Sequence, residues 1–144
     1  MDFLSSFNIS GSGLTAQKTR MDIIAQNIAN SQATRTESGE PYKRKMVVLK
    51  SMEGTDFKTA LGKAADNQSK GVKVEQIIED PTPLVPVYNP NHPDANEEGY
   101  VMMPNVNTTQ EMVDMMSASR AYEANVTAFN AVKSMALKAL EIGR

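Results

Sequence analysis

From Thr108 to Ile142 the sequence contains neither proline nor glycine, and so long an uninterrupted run leaves few folds open. At ~1.5 Å per residue a helix there is ~50 Å long, far more than a small domain needs for its own core. Asn107, Thr108 or Thr109 can cap its start, and Glu111 stands three residues after Thr108, the capping-box spacing. Steps of three and four give Met112, Met115, Ser119, Tyr122, Val126, Phe129, Lys133, Ala136 and Leu140, a seam of a/d type. A second series, Ala121, Ala124, Ala128, Ala131, Met135 and Ile142, lies about 100° round the same helix. The helix is apolar on two faces.

At the other end Phe3, Phe7, Ser10, Leu14, Gln17, Met21, Ile24 and Ile28 form an a/d series of the same kind, one face of a helix meant for another helix. Its weak point is Ser10-Gly11-Ser12-Gly13, because each glycine costs up to ~1 kcal/mol relative to alanine in a helix interior. The first turns are expected to order only on packing. Asn27-Ile28-Ala29-Asn30 ends this helix, and Asn30 suits the left-handed geometry of a C-cap.

Between the helices the pattern changes. Ser31 to Glu40 is polar and closed by Gly39 and Pro41, which makes it loop. Tyr42 to Leu49 and Val72 to Ile78 carry β-branched residues with partial alternation and suit strands of a small half-buried sheet. Asp56 to Ala65 suggests a short helix, although Gly54, Gly62 and Gly71 argue for a mobile excursion. Pro81, Pro83, Pro86, Pro90 and Pro93 forbid a helix from Asp80 to Ala95, so that segment runs extended or polyproline-like. Gly99 to Met103 adds a last strand. The fold expected is mainly α with a small β region: long terminal helices pair as an antiparallel coiled-coil-like core, with short strands and an extended proline-rich segment between. It divides into 1–34, 35–107 and 108–144.

A chain of 144 residues fits one compact domain or one small domain with extended appendages. Aromatics make up only 6%, so the core must be aliphatic and methionine-rich. A formal charge of −2 with dispersed Lys and Arg offers no field for a polyanion, which removes nucleic acid as a partner. The absence of cysteine removes disulfides, thiol nucleophiles and thiolate metal sites. His92 stands near Asp94, Glu97 and Glu98, but one imidazole in a proline-flanked loop lacks the further nitrogen or sulfur ligand zinc needs. With no phosphate loop or nucleophile elbow, no catalytic, cofactor, metal or small-molecule substrate site is expected. Lys43-Arg44-Lys45 reads as a solvated strand edge. Nothing approaches a membrane span, and MDFLSSFNISGSGL lacks the basic and apolar regions of a cleavable signal, which alone points to the cytoplasm.

The second apolar face is the feature that needs a function. The first helix can cover only one face, and a bare face of that length exceeds what soluble monomers usually expose. Self-assembly is expected, with alanines allowing close approach and methionines adapting to unlike neighbours. The alternative is an ordinary helical hairpin whose second face the middle segment covers. Asn125 is a poor helix former and is expected to have a partner; Tyr122 can bury its ring while its hydroxyl reaches a polar group. Arg120 and Glu123 have i,i+3 spacing for an ion pair.

The stretch from Ser12-Gly13-Leu14 through Met21-Asp22 to Asn27-Ile28-Ala29-Asn30 and Thr34 resembles the amino-terminal signature of flagellar rod and hook proteins. Glu111-Met112-Val113 through Arg120-Ala121-Tyr122-Glu123-Ala124-Asn125 to Ala139-Leu140-Glu141-Ile142-Gly143-Arg144 resembles their carboxy-terminal signature. Val87 to Ala95, and Gly99-Tyr100-Val101 followed by Pro104 to Asn107, narrow the resemblance to the proximal-rod branch. Where that branch commonly has Gly-Gly-Pro-Tyr, this chain has Gly39-Glu40-Pro41-Tyr42, and the tail of the Asn91 to Glu98 loop is its own.

The resemblance implies a non-enzymatic structural subunit whose terminal helices line an axial channel in a tubular shaft that transmits torque. It implies export by the flagellar type III apparatus without a cleaved signal, which moves the expected compartment from the cytoplasm to the basal-body rod in the periplasmic space. Partners would be other rod proteins, further copies of this chain and the export apparatus, without direct membrane insertion. The residues expected at assembly interfaces are Phe7, Leu14, Met21, Ile24, Asn27, Ile28, Asn30, Met112, Met115, Ala121, Tyr122, Asn125, Val126, Ala128, Phe129, Met135 and Leu140. Asn27 and Asn30 would hydrogen-bond backbone at a subunit or helix-to-loop junction. A small coiled-coil adaptor or export chaperone is the competing reading.

Overall fold

In the computed structural model the described residues are 3–52 and 71–142. They form α1 (Phe3–Ala29), β1 (Lys45–Ser51), β2 (Val72–Glu79), β3 (Val85–Tyr88), β4 (Tyr100–Met103) and α2 (Thr108–Ile142). The short helix expected at Asp56 to Ala65 lies outside the described residues. No described helix is long and apolar enough to cross a membrane.

The two helices lie along each other with opposed directions. The Phe7 ring meets Phe129 edge-on at 4.9 Å, Gly13 faces Asn125, and Asn27 reaches Glu111. Since α1 begins only four residues before Phe7, about one more turn of α2 past Phe129 finds α1 opposite it. Beyond that turn Met135, Leu137 and Leu140 stand exposed.

The seam of α2 departs in part from the one its apolar spacing predicts. Met115, Ser119, Tyr122, Val126, Phe129 and Ala136 are half-buried as expected, but Met112, Lys133 and Leu140 are exposed, and Glu111 and Ala118 are the fully buried positions, with Asn125 half-buried beside Val126. Met112 is 53% exposed, whereas Glu111 and Ala118 are both 0% exposed. Small size and polar pairing decide those positions. The capping box also fails to form: Asn107 is the cap, its side-chain oxygen accepting from the amides of Thr109 and Gln110 at 3.1 and 3.2 Å, while Glu111 turns into the interior.

α1 runs unbroken through its two glycines. A β-carbon at Gly13 would come within 3.1 to 3.2 Å of the Asn125 amide, so this glycine lets α2 approach closely. Nothing stands within 4 Å of such an atom at Gly11. Gly11→Ala is therefore expected to raise stability by ~0.5–1 kcal/mol, the helix-propensity difference, and Gly13→Ala to gain none of it or to lose stability. Urea titration of the two variants checks this; equal gains would contradict the close packing.

Both strand pairs are antiparallel, and they form two separate two-stranded sheets. β1 and β2 pack on α1, with a bulge between Val48 and Leu49. Ser12 pins the start of β2: its hydroxyl accepts from the Val72 amide at 3.0 Å and donates to the Ile9 carbonyl at 2.7 Å. Gly71, with φ of 109°, passes so close to Ser12 that a side chain there would strike it.

The proline-rich stretch holds no helix, yet β3 within it is a paired strand and not a free extended segment. Pro86 is compatible because Asn89 donates to Gly99 at 2.9 Å, and alternation then places the Pro86–Met102 pair where no ladder donor is required. Tyr88 and Tyr100 meet edge-on across the ribbon at 5.4 Å. The intervening loop is clamped to the exit of α1 by Asp94, which accepts from Thr34 Oγ1 at 2.9 Å and pairs with Arg35 at 3.1 Å. His92 Nδ1 accepts the Asp94 amide at 3.1 Å, a local structural use of the single imidazole.

Candidate functional site

Asn27 and Glu111 are the largest fully buried side chains among the described residues, and both are polar. Asn27 fills all four of its hydrogen-bonding positions. Its Nδ2 donates to the Lys45 carbonyl at 2.9 Å and to Glu111 Oε2 at 3.0 Å, while its Oδ1 accepts from the Tyr42 hydroxyl and the Lys45 amide, each at 2.9 Å. One side chain thus joins α1, the loop, β1 and α2. Asn30 is not the left-handed cap its type suits, since no described residue other than glycine has positive φ, but its side chain does bond backbone as expected, Nδ2 donating back to the Gln26 carbonyl at 2.8 Å.

Arg44 completes the junction. Its Nε donates to Glu111 Oε1 at 2.7 Å, Nη1 lies 3.3 Å from Asp80 and Nη2 lies 3.8 Å from Asp114. Its backbone amide is held by Asn105 Oδ1 at 2.8 Å. Burial pulls the guanidinium pKa down, but the hydrogen bond and charge of Glu111, followed by those of Asp80, hold it above its ordinary value. The basic run is accordingly no uniform solvated edge: Arg44 turns inward, Lys43 pairs with Glu40, and Lys45 lies over the Tyr42 ring. Burial first, and the charges of Glu111 and Glu79 second, push the Tyr42 phenol up, which keeps it a neutral donor to Asn27. A cleft of about 220 Å³ over this junction is walled by Arg20, Ile23, Arg44, Met46 and Asp114, and both its carboxylates already face an arginine.

Asp80 gives the junction a pH dependence. The Thr82 hydroxyl and amide hold its carboxyl below the usual range; burial opposes them, and Arg44 adds to the lowering. A depressed folded-state pKa contributes stability above the unfolded value of ~3.9 and loses it as pH falls through the lower folded value. Asp80→Asn is therefore expected to lower the melting temperature at neutral pH and to melt like the parent well below pH ~4. A difference that persists unchanged in acid would contradict this.

The expected interface residues divide by burial. Ile24 and Asn27 are buried within the chain; Phe7, Leu14, Met21, Ile28, Asn30, Met115, Ala121, Tyr122, Asn125, Val126 and Phe129 are half-buried; Met112, Ala128, Met135 and Leu140 are exposed. Asn125 donates to the Ala121 carbonyl at 2.9 Å while packing on Gly13. No ion pair joins Arg120 and Glu123 among the described residues, and both are exposed. Along the second face Ala124, Ala128, Ala131 and Met135 stand open, and no described strand packs along α2 to cover them. Sequence reasoning missed Glu111, Arg44 and Tyr42. The only signal available for Glu111 was an acid placed on the margin of an a/d seam.

Fold and site together define a class of protein: an antiparallel helix pair locked at one end by a buried polar junction, with unfilled apolar surface along its longer helix. Residues 7–35 match the family described as Flagella basal body rod protein, and residues 97–142 match Flagellar basal body rod FlgEFG protein C-terminal. Over its full length the chain is similar to the flagellar basal-body rod protein FlgC of Bacillus subtilis, at 50% identity with 100% of both chains covered. It is 44% identical to FlgC of Borreliella burgdorferi, covering 99% of this chain and 98% of that one. With FlgC of Salmonella typhimurium the identity is 42%, with 100% of both covered. The chain belongs to the flagellar basal-body rod protein FlgC family.

Proposed function

We propose that this protein is a structural subunit of the flagellar basal-body rod, in its proximal part, and acts by packing its terminal helices against those of neighbouring subunits. Family membership over the full chain supports the rod. The observation that carries the mode of action is the open second face of α2, Ala124, Ala128, Ala131 and Met135, all exposed among the described residues. In this reading residues 1–34 and 108–144 form a coiled-coil-like core around an axial channel, and residues 35–107 sit outside it. The subunit passes through the flagellar type III export apparatus without a cleaved signal, joins other rod proteins and copies of itself in the periplasmic space, and transmits torque as part of a stiff shaft. Its action is geometric, with no catalytic step.

Basal bodies imaged from cells lacking this gene are the test. Rings without a complete rod, in cells that do not swim, are expected. Complete rods in such cells would overturn the assignment.

A further inference from the structure

The apolar pattern of α2 does not settle how the helix is rotated about its own axis. Met115, Tyr122 and Phe129 can be joined by Met112, Ser119 and Val126, or by Glu111, Ala118 and Asn125, and the two seams point ~50° apart, half the step between successive residues. The first would bury more apolar surface. At the end of the pair that holds Asn27 the protein adopts the second, with Met112, Val113 and Met116 about half exposed and Glu111 and Ala118 completely enclosed, while Ser119, Asn125 and Val126 are all half-buried.

We propose that Glu111, received by Asn27 and Arg44, is the positioning residue that selects this rotation and so decides which face of α2 is turned outward. The receiving site is built without it. Asn27 is held by Tyr42 and Lys45, and Arg44 is held through its amide by Asn105 and through its guanidinium by Asp80. Both oxygens of Glu111 then plug into that site, one on each partner. A turn of ~50° toward the other seam would withdraw the carboxylate from both and leave buried polar groups unpaired. Two small-residue positions further along agree with the same setting: Ala118 is fully enclosed, and Gly13 makes room for Asn125. A polar group buried in a helix seam is a known way of specifying one arrangement among several that hydrophobic contact alone would permit. The meaning of the outward face rests on the assembly reading above, but the rotation itself does not.

The natural absence of cysteine allows a direct readout on the full chain. Met112→Cys and Ala118→Cys are made singly in the parent, in Glu111→Met/Arg44→Met and in Arg44→Lys, and their rates of reaction with a maleimide are measured beside the thermal melt. In the parent, position 112 should react faster than position 118 by on the order of a hundredfold, since one site is open and the other reacts only on local opening. In the double variant, which is expected to remain folded, that contrast should fall by roughly tenfold or more as both seams become populated. Arg44→Lys keeps a cation at Glu111 and should hold most of the parent contrast. An unchanged contrast in the double variant overturns the proposal. So does a double variant labelled at denatured-chain rates, because no folded state would then exist without the Glu111–Arg44 pair and there would be no second rotation for it to select against. Loss of contrast in a double variant whose cells still swim normally would uphold the rotation and count against the assembly reading instead.

Discussion

Asn27→Ala should lower the melting temperature by roughly 10–15 °C, equivalent to about 4 kcal/mol in a chain of this size. The substitution strands the Tyr42 hydroxyl, both backbone groups of Lys45 and one oxygen of Glu111, and the side chain it replaces is only 1% exposed. Each group that the cleft does not open to water carries part of the desolvation penalty of an unmade bond, ~1–3 kcal/mol apiece before relaxation. Asn27→Asp separates geometry from chemistry, because it keeps the acceptors but sets a second carboxylate against Glu111. It should be comparably damaging at neutral pH and partly relieved in acid, as protonation restores a donor between the two. Thermal melts followed by circular dichroism decide the matter. A fall of less than ~3 °C for the alanine variant would mean that the junction does not hold the fold together.

The elements themselves were readable because each rests on a local rule. A run free of proline and glycine makes α2, β-branched alternation makes β1 and β2, and prolines exclude a helix from the connecting stretch. What could not be read depends on partners distant in sequence. Glu111 looks like a capping-box residue until Arg44, 67 positions away, is seen beside it. Arg44 reads as one member of a solvated basic run, and only the fold reveals that it turns in to Glu111 while Lys43 pairs with Glu40 and Lys45 lies over Tyr42. The same limit explains the seam. Counting apolar residues ranks Met112 above Glu111 for burial, and a cluster assembled from α1, the loop and α2 reverses that order. Pro86 could be excluded from a helix by its chemistry, but its fitness for a ladder depends on which side of β4 it meets. For the candidate site, the seventeen residues named from spacing and resemblance mixed two populations, those the chain uses internally and those it leaves open.

That distinction sets up the second large effect. Ala128→Glu is expected to abolish swimming while leaving the isolated protein almost as stable as the parent. Ala128 is exposed on α2 between Ala124 and Ala131, so a glutamate there points into solvent and should change folding stability by no more than ~0.5 kcal/mol. If this face packs against a neighbouring helix, the small side chain permits close approach. A carboxylate then brings both a clash and an unpaired buried charge, each worth several kcal/mol at every repeat of the contact. Ile24→Glu provides the contrast. Ile24 is 6% exposed within the chain, so its charged variant should fail by losing the fold, with a lowered melting temperature before any assembly is attempted. The informative pair of measurements is the thermal melt of each purified variant and the swimming halo of cells carrying it. Ala128→Glu should melt within ~2 °C of the parent and give no halo. A parental halo with that variant expressed at normal levels would show that the open alanine face is not where the rod is joined, and the apolar overhang around Leu137 and Leu140 would become the surface to alter next.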